Sequence, residues 1–438
     1  MGSLKRSEGL SEIGAISFAV GSMIGAGVFV LSGLVIAEAG SGAILSYLLA
    51  GVLITFTGIS YAILASIYPE DGGGFLYAEK MLGPFPGFLA GWGMYTFQII
   101  AQAFVLISFG IYLELLLGLS FDPRPLALAA VIGLTLLNMR GLNEAGKAEL
   151  LLVAAKVVVL ILFIVIGLAS ISPGDLGTLT SAGSGSILAG TAMVMFAYTG
   201  FQVVGMMAGE VKGSSKKVPR AIMISIFIVM AIYVLVIVAL LAANLDTYGD
   251  DSVFRAAEAL IGPIGATMIS AAAVVSTLSA ANSGMVGSSR IVMEMASEKQ
   301  LPGRFAKLRD GQPYNAILLA SGLTSIFIIY GDLAFIIDVT NFLVLVTNVL
   351  VNLSALMLVL RKYPVEPYRR LFRSPFRGIL PALGVVTSVG IMFALPVVNL
   401  LPAMAILALG AVFYLIEDTP SGKRAILEVR QMLGREMR

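Results

Sequence analysis

Residues 21–29, which read GSMIGAGVF, place three glycines and a serine inside an apolar segment that runs from about residue 13 to residue 37. The segment is long enough to cross a bilayer, which takes about 20 apolar residues, yet glycine is a poor helix former. A mid-membrane break leaves backbone N–H and C=O groups unpaired, and this is tolerated only where the break faces protein or a watery cavity. We therefore predict a binding site here; close helix packing through small residues is the alternative.

An unwound stretch exposes two kinds of backbone group. The N–H groups of Ala26, Gly27 and Val28, at the start of the outer half-helix, suit an anion such as a carboxylate. The carbonyl groups near Gly21 and Ile24 suit an ammonium group or an inorganic cation.

A second interruption of the same kind, residues 196–202 (FAYTGFQ), lies in a later apolar segment and adds further carbonyl groups. A site with both polarities is complementary to a zwitterionic α-amino acid. The residues predicted to bind such a ligand are Ser22, Ile24, Gly25, Ala26, Gly27, Val28, Phe196, Ala197, Thr199 and Gly200.

Lys156 lies inside another apolar segment, about eight residues from its start. That is ~12 Å at a rise of ~1.5 Å per residue, near the limit for a side chain that snorkels to the interface. An ionisable group at this depth is costly and is a functional candidate. Because desolvation penalises the charged form, a buried lysine can bind and release a proton near neutral pH. Snorkelling is the alternative.

The composition indicates the setting in which these residues act. The chain of 438 residues is 58% hydrophobic and 12% charged, whereas soluble domains carry about twice that share of charge. We therefore predict an all-α polytopic membrane protein. The absence of cysteine and histidine excludes disulfides, thiol catalysis and Ser-His catalysis. We expect no cofactor, no metal and no nucleic-acid partner.

Twelve apolar segments are predicted as transmembrane helices, because lipid-spanning segments are helices or closed barrels. The third and eighth are longer than one span requires. Residues 68–74 are predicted as a turn-rich loop, and residues 289–308 as an interfacial helix or a helix extension. The segments are 12–38, 42–67, 84–118, 125–138, 148–170, 185–210, 219–243, 254–288, 314–330, 333–360, 379–397 and 400–417.

The distribution of basic residues supports this count. With a cytoplasmic N-terminus, 25 of the 28 Lys and Arg residues fall in inner loops or tails, and only Arg124 and Arg255 fall outside. Lys156 is the remaining one. The prediction is therefore a cell-membrane protein with both termini in the cytoplasm, including an N-terminal tail at 1–11 and a C-terminal tail at 418–438.

The two interrupted segments are the first of two groups of five. An odd number of helices per group orients the halves oppositely, and paired interruptions in inverted halves mark a transporter site. We therefore predict a first repeat at 12–170, a second at 185–360, and two further helices at 379–417.

Several motifs resemble those of the amino acid–polyamine–organocation superfamily. They are residues 21–29, 196–202, 210–221 (EVKGSSKKVPRA) and 311–313 (GQP). The resemblance covers nearly the whole chain and implies a LeuT-like, five-plus-five inverted repeat with helices 1 and 6 broken at the substrate site. It is strongest to prokaryotic proton-coupled amino acid transporters, in which GKAE (here 146–149) precedes a fifth-helix lysine matching Lys156.

The resemblance also implies a role for that lysine. In the relatives it faces the carbonyl of the glycine matching Gly21 and a serine of helix 8, and its cation occupies the place of a sodium ion. Ser283 is the candidate serine and Ser279, one turn earlier, is the alternative; either hydroxyl could instead bond to its own helix.

Phe196 matches an aromatic residue that covers bound substrate in the exchangers of the superfamily, so it is a gate candidate; a core aromatic is the alternative. Gln202 stands where many members carry an acidic residue, which argues against a carboxylate proton sensor and against a strong preference for cationic substrates. Gln102, Gln202 and Asn341 are candidates for lining the pocket, although hydrogen bonding between helices would also explain such residues.

The predicted function is proton-coupled amino acid symport by alternating access, in which the partners are the amino acid, a proton and the lipid bilayer. An obligate amino acid or amine exchanger is the alternative transporter. A membrane enzyme would need an Asp pair or a Ser-Lys dyad; no two intramembrane carboxylates share a helix face, and Lys156 and Ser283 are the candidates for a dyad. The lack of a filter-like repeat or a ring of charges in the sequence argues against a channel. We therefore expect no enzyme. The substrate's identity and the oligomeric state stay open.

Overall fold

The computed structural model describes residues 10–140, 145–172, 174, 176–361 and 378–416. The predicted tails, apart from residues 10 and 11, lie outside the described residues, as does the basic loop 362–377. The side chains of the GKAE motif at 146–149 also lie outside them.

The described chain is built from sixteen α-helices, and its β-structure is limited to two isolated bridges, Leu10 with Val211 and Arg309 with Gln312. The helices are α1 (Glu12–Met23), α2 (Ser32–Ala39), α3 (Ala43–Ile67), α4 (Gly73–Leu82), α5 (Pro84–Leu117), α6 (Arg124–Arg140), α7 (Ala145–Ser170), α8 (Gly183–Val194), α9 (Gln202–Met206), α10 (Ser214–Ala242), α11 (Ser252–Ile261), α12 (Pro263–Ser297), α13 (Tyr314–Tyr330), α14 (Leu333–Leu360), α15 (Ile379–Met392) and α16 (Val397–Ile416).

Eight stretches of the described chain are helical, long enough and apolar enough to cross a membrane, and shorter apolar helices accompany them. The chain is therefore an all-helical polytopic membrane protein. The eight are Gly27–Ile67, Pro84–Leu117, Val153–Ser170, Gly183–Met206, Ser214–Ala242, Pro263–Ser297, Leu333–Leu360 and Val397–Leu415.

The polarity of α7 fits a bilayer and not water. Its apolar residues Val158, Ile161 and Val165 are about half exposed or more, whereas Lys156 is 1% exposed. Because the apolar face points outward and the charge inward, the outer surface of this helix is suited to lipid.

Two features of the helices differ from the sequence prediction. The predicted eighth segment, 254–288, is two helices, because the chain turns at Gly262 (φ +88°) before Pro263 starts α12. Proline is favoured in the first turn of a helix, where its missing N–H costs nothing. The second difference is α4, a helix that the apolar pattern does not predict. The stretch predicted as interfacial helix or extension begins as an extension, since α12 continues to Ser297.

A helix–Gly–Pro–helix unit occurs twice in the described chain. The ten-residue α4 ends at Gly83 before the 34-residue α5, and the ten-residue α11 ends at Gly262 before the 35-residue α12. Both glycines have positive φ, of 109° and 88°, which glycine adopts without a steric penalty. The long helices α5 and α12 also pack along each other in one of the most extensive contacts of the molecule.

The first apolar stretch is interrupted at Ile24 and Gly25. α1 ends at Met23, and the Gly25 N–H turns back to the Met23 carbonyl at 2.9 Å instead of continuing the α-helix. A π-helical turn, Gly27–Leu31, then leads into α2. Because the ladder stops here, the last carbonyl groups of α1 need other partners.

The sixth apolar stretch is interrupted as well. After α8 a 3₁₀ turn covers Met195–Tyr198, and Thr199 is extended with φ −72° and ψ 156°. Gly200 then has φ +124°, a conformation that favours glycine, before α9 begins at Gln202.

The two interruptions touch each other. A Cβ atom at Gly27 would lie 2.7 Å from the Cβ of Ala197, and one at Gly200 would lie 2.8 Å from the backbone nitrogen of Met23. These glycines therefore allow the two broken stretches to cross at van der Waals distance, and an alanine in either place would push them apart.

Contacts between distant segments assemble one end of the molecule. Leu10 pairs through its backbone with Glu210 and Lys212, and the Gly209 N–H donates to Asp71 at 2.8 Å. At the same end Arg290 lies 3.6 Å from Glu210. The residues of this end belong to the segments that the charge distribution predicts to face the cytoplasm.

Candidate functional site

A cavity of about 60 Å³ lies where the two interruptions cross. α5 and α12 close its other sides. The lining residues are Ser22, Met23, Gly25, Ala26, Gly27, Phe97, Gln98, Ala101, Gln102, Val105, Phe196, Ala197, Thr199, Gly200, Gln202, Val203, Met206, Ala280, Ser283 and Gly284.

Most of the residues predicted to bind a substrate line this cavity. Ile24 and Val28 do not: both side chains are fully buried elsewhere in the core. The π-helical turn that begins at Gly27 nevertheless starts a new helical segment beside the cavity. Because the first N–H groups of a helix lack partners within it, this start can receive an anion.

Lys156 binds the freed end of α1. Its Nζ atom donates to the carbonyl oxygen of Gly21 at 2.7 Å and to that of Ile24 at 2.8 Å. With the side chain 1% exposed, snorkelling to the interface is excluded. A cation beside the last carbonyl groups of a helix is favourable, because those groups carry its partial negative charge.

A serine of α12 shares this arrangement. Ser276 is fully buried, and its hydroxyl donates to the Ile24 carbonyl at 2.6 Å, so two donors from different helices meet at one oxygen. The serines predicted from the sequence are Ser283, which lines the cavity, and Ser279, which is 7% exposed. Ser276 lies about one turn before Ser279, and only the packing of α12 against α1 distinguishes these serines.

Tyr233 of α10 connects the two interruptions. Its hydroxyl group is 2.5 Å from the Met23 carbonyl oxygen and 3.1 Å from that of Ala197, so one donor serves both breaks. Behind it, Tyr198 donates to the carbonyl of Tyr47 at 2.8 Å, and the three tyrosine rings pack edge to face. Tyr233 is not predicted from the sequence, because a lone tyrosine in an apolar helix has no distinguishing pattern.

Phe196 forms part of the cavity wall. It is 8% exposed, and its ring packs edge to face against that of Phe104 with 5.3 Å between centroids. This position beside the cavity is compatible with the predicted gate, which stays a prediction.

The three residues predicted to line the pocket differ in location. Gln102 and Gln202 line the cavity. Asn341 does not: it is fully buried, and its Nδ2 donates to the Met193 carbonyl at 3.2 Å, which ties α14 to α8. Asn341 thus lies outside the lining of this cavity, and its hydrogen bond joins two helices.

Comparison with known proteins gives a consistent result. A family model described as amino acid permease matches residues 14–426. An uncharacterised transporter of Mycobacterium tuberculosis is 30% identical over 366 residues, which cover 81% of each chain. The serine/threonine exchanger SteT of Bacillus subtilis is 31% identical over 66% of this chain and 69% of its own. The lysine-specific permease LysP of Escherichia coli is 30% identical over 72% of this chain and 70% of its own.

These relatives are transporters and permeases, which supports a transporter and not an enzyme. The match covers both interruptions, Lys156 and the helices around them. The chain belongs to the amino acid permease family of the amino acid–polyamine–organocation superfamily, and its function is amino acid transport.

Proposed function

We propose that this protein is a proton-coupled amino acid symporter of the cell membrane, with both termini in the cytoplasm. The observation that carries the proposal is the pair of hydrogen bonds from Lys156 Nζ to Gly21 and Ile24, at the break of the first helix. A buried amine in contact with the broken helix can link a protonation change to a change of that helix.

The bound substrate would use the backbone of both breaks. Its carboxylate would meet the helix start near Ala26 and Gly27, and its ammonium group would meet carbonyl oxygens freed at the second break. Phe196 would cover the substrate on one side.

Coupling would follow from the charge on Lys156. The protonated amine makes charge-assisted hydrogen bonds, which are roughly twice as strong as neutral ones. The neutral amine can still donate, but it loses the attraction to the partial negative charge at the end of α1. Loss of the proton would therefore loosen the contact between α1 and α7, and substrate release would accompany it.

We further propose that the helices form two inverted repeats, 12–170 and 185–360, followed by two helices. Each proposed repeat has one interrupted stretch and one helix–Gly–Pro–helix unit, in the same order. Such inverted repeats place the substrate site near the middle of the bilayer, where opposite gates can alternate.

The test is uptake of labelled amino acids into proteoliposomes with and without an inward proton gradient. In Lys156→Met, uptake should fall at least about tenfold and lose its dependence on pH, since a charge-assisted pair is removed. Val158→Met adds the same side chain on the lipid face of the same helix and should leave uptake unchanged. Size-exclusion chromatography checks folding. If uptake by folded Lys156→Met still depends on pH, the proposed coupling role of Lys156 is refuted.

Exchange is the second candidate, because the relative SteT is named a serine/threonine exchanger. In that case internal amino acid, and not a proton gradient, would be required for uptake. Counterflow that proceeds without any proton gradient, with no net uptake into empty liposomes, would establish exchange in place of symport.

A further inference from the structure

The cavity at the two breaks is lined by both polar and apolar residues. Among the described residues that line it, none is Asp, Glu, Lys or Arg, and Lys156 lies behind the broken helix and not in the lining. A charged substrate side chain would lose its water without gaining a counter-charge, which is strongly unfavourable. The lining therefore selects against cationic and anionic side chains.

Gln102 contributes an unused hydrogen-bond acceptor. The residue is 2% exposed, and its Nε2 donates to the Ser288 hydroxyl at 3.3 Å. Its Oε1 atom is buried and has no hydrogen-bond partner. The contact with Ser288 uses the amide nitrogen and leaves the oxygen as the available atom.

Gln202 contributes an unused hydrogen-bond donor, its amide nitrogen. It is also 2% exposed, and its Oε1 accepts from the Gly200 N–H at 3.4 Å, beside the second break. Its Nε2 atom is buried without a partner. Because buried polar atoms are nearly always paired, two orphaned amide atoms in one cavity lining call for a ligand that satisfies both.

The size of the cavity limits that ligand. About 60 Å³ is four to six times the roughly 10–15 Å³ that one water needs. The main chain of an amino acid already has five heavy atoms, so the cavity favours the smallest side chains.

Resting on the proposed amino acid transport, we propose that this site selects small amino acids whose uncharged side chain both donates and accepts a hydrogen bond. A hydroxyl group does both with one atom: it would donate to Gln102 Oε1 and accept from Gln202 Nε2. A carboxamide also does both, but it needs more atoms in a cavity of this size. Serine and threonine therefore fit best.

The decisive comparison is threonine against valine, which have nearly the same shape and differ by a hydroxyl and a methyl group. In competition uptake with the wild-type protein in proteoliposomes, threonine should inhibit at a concentration at least about tenfold lower than valine. Lysine and aspartate should inhibit weakly. Valine acting as well as threonine, or lysine acting better, would overturn the proposal.

Variants assign the preference to the two amides. Gln102→Leu and Gln202→Leu should each bring the threonine-to-valine ratio close to one, whereas Gln312→Leu, in a loop outside the cavity, should leave it unchanged. If both glutamines instead held the substrate main chain, threonine and valine would weaken equally and the ratio would persist, which would overturn the assignment.

Different results would contradict the proposed transport and the proposed selectivity. A folded wild-type protein that takes up no amino acid under either a proton gradient or counterflow contradicts transport itself. Uptake of amino acids without a threonine preference contradicts the selectivity alone, and the wild-type ratio decides this even where a variant does not fold.

Discussion

At the scale of single residues, this protein uses isolated polar groups to satisfy carbonyl oxygens that a helix break sets free. Lys156 and Ser276 reach the Ile24 carbonyl from two helices, and Tyr233 reaches Met23. Unpaired carbonyl groups in a membrane interior are costly. The break is therefore stable only together with these donors, and a change in one donor acts directly on the broken helix.

A hydrogen-bonded pair, Glu79 and Gln300, lies outside the spanning helices. Glu79 of α4 accepts a hydrogen bond from Gln300 Nε2 at 3.2 Å, and the Oε1 atom of Gln300 is buried without a partner. Burial raises the pKa of Glu79, and the carboxylates of Glu298 and Glu294 raise it further, against the opposing effects of Lys80 and Gln300.

The raised pKa of Glu79 determines the direction in which the stability of the folded protein changes with pH. The folded protein binds the proton of the Glu79 carboxyl group more tightly than the unfolded chain does. The stabilisation that this protonation gives is therefore complete below the usual pKa of a glutamate. It is lost as the pH rises through the raised value. Raising the pH to neutral therefore removes stability that Glu79 supplies in acid.

We predict that Glu79→Gln stabilises the protein at neutral pH by up to about 1 kcal/mol, because its amide can also donate to Gln300 Oε1. The gain should shrink below pH 4, where the protonated glutamate can make the same pair. Thermal unfolding in detergent across pH measures this. Glu79→Ala, which relieves the repulsion but removes the acceptor, should gain less; an equal gain would show that the hydrogen bond has no part.

At the scale of helices, glycine sets how closely elements approach. Gly27 lets the first interrupted stretch lie against Ala197 of the second, and Gly200 does the same against Met23. The site depends on this crossing, because the cavity is lined from both breaks.

Gly27→Ala should therefore impair both stability and transport. The added methyl would lie 2.7 Å from the Cβ of Ala197, and overpacking of this kind costs about 1–3 kcal/mol. Gly287→Ala on α12 is the matched control, since its methyl would meet nothing within 4 Å. We expect a lower melting temperature and slower initial uptake for Gly27→Ala alone. Equal behaviour of the two variants would contradict the close crossing.

At the scale of the whole molecule, the basic residues are concentrated at one end. The end assembled from Leu10, Asp71, Glu210 and Arg290 carries segments rich in Lys and Arg. At the other end Ser41 donates to the Thr178 carbonyl at 3.0 Å, and these segments carry few basic residues. By the positive-inside rule, we propose that the first end faces the cytoplasm.

Single cysteines test this orientation directly, because the natural chain contains none. Ser120→Cys and Ser184→Cys, both exposed, should react with a membrane-impermeant maleimide in intact cells. Ser297→Cys, at the end of α12, should react only after the membrane is permeabilised. Labelling of all three from outside, or the reverse pattern, would refute the proposed topology.

The sequence by itself determined the membrane setting, most of the helices and the two breaks. These features depend on composition, apolar length and glycine content, which act locally along the chain. Lys156 was also visible, because a charge in an apolar segment contrasts with its neighbours. The turn at Gly262 is equally local, but its Gly-Pro signal lies inside a long apolar run that reads as one segment.

Only the tertiary structure decided which groups meet. Lys156, Ser276 and Tyr233 reach the break of the first helix from positions 132 to 252 residues away in sequence. The rotation of each helix about its axis selects Ser276 for the Ile24 carbonyl and turns Asn341 towards Met193. Since long-range packing and not local pattern fixes that rotation, these contacts have no signature in a single sequence.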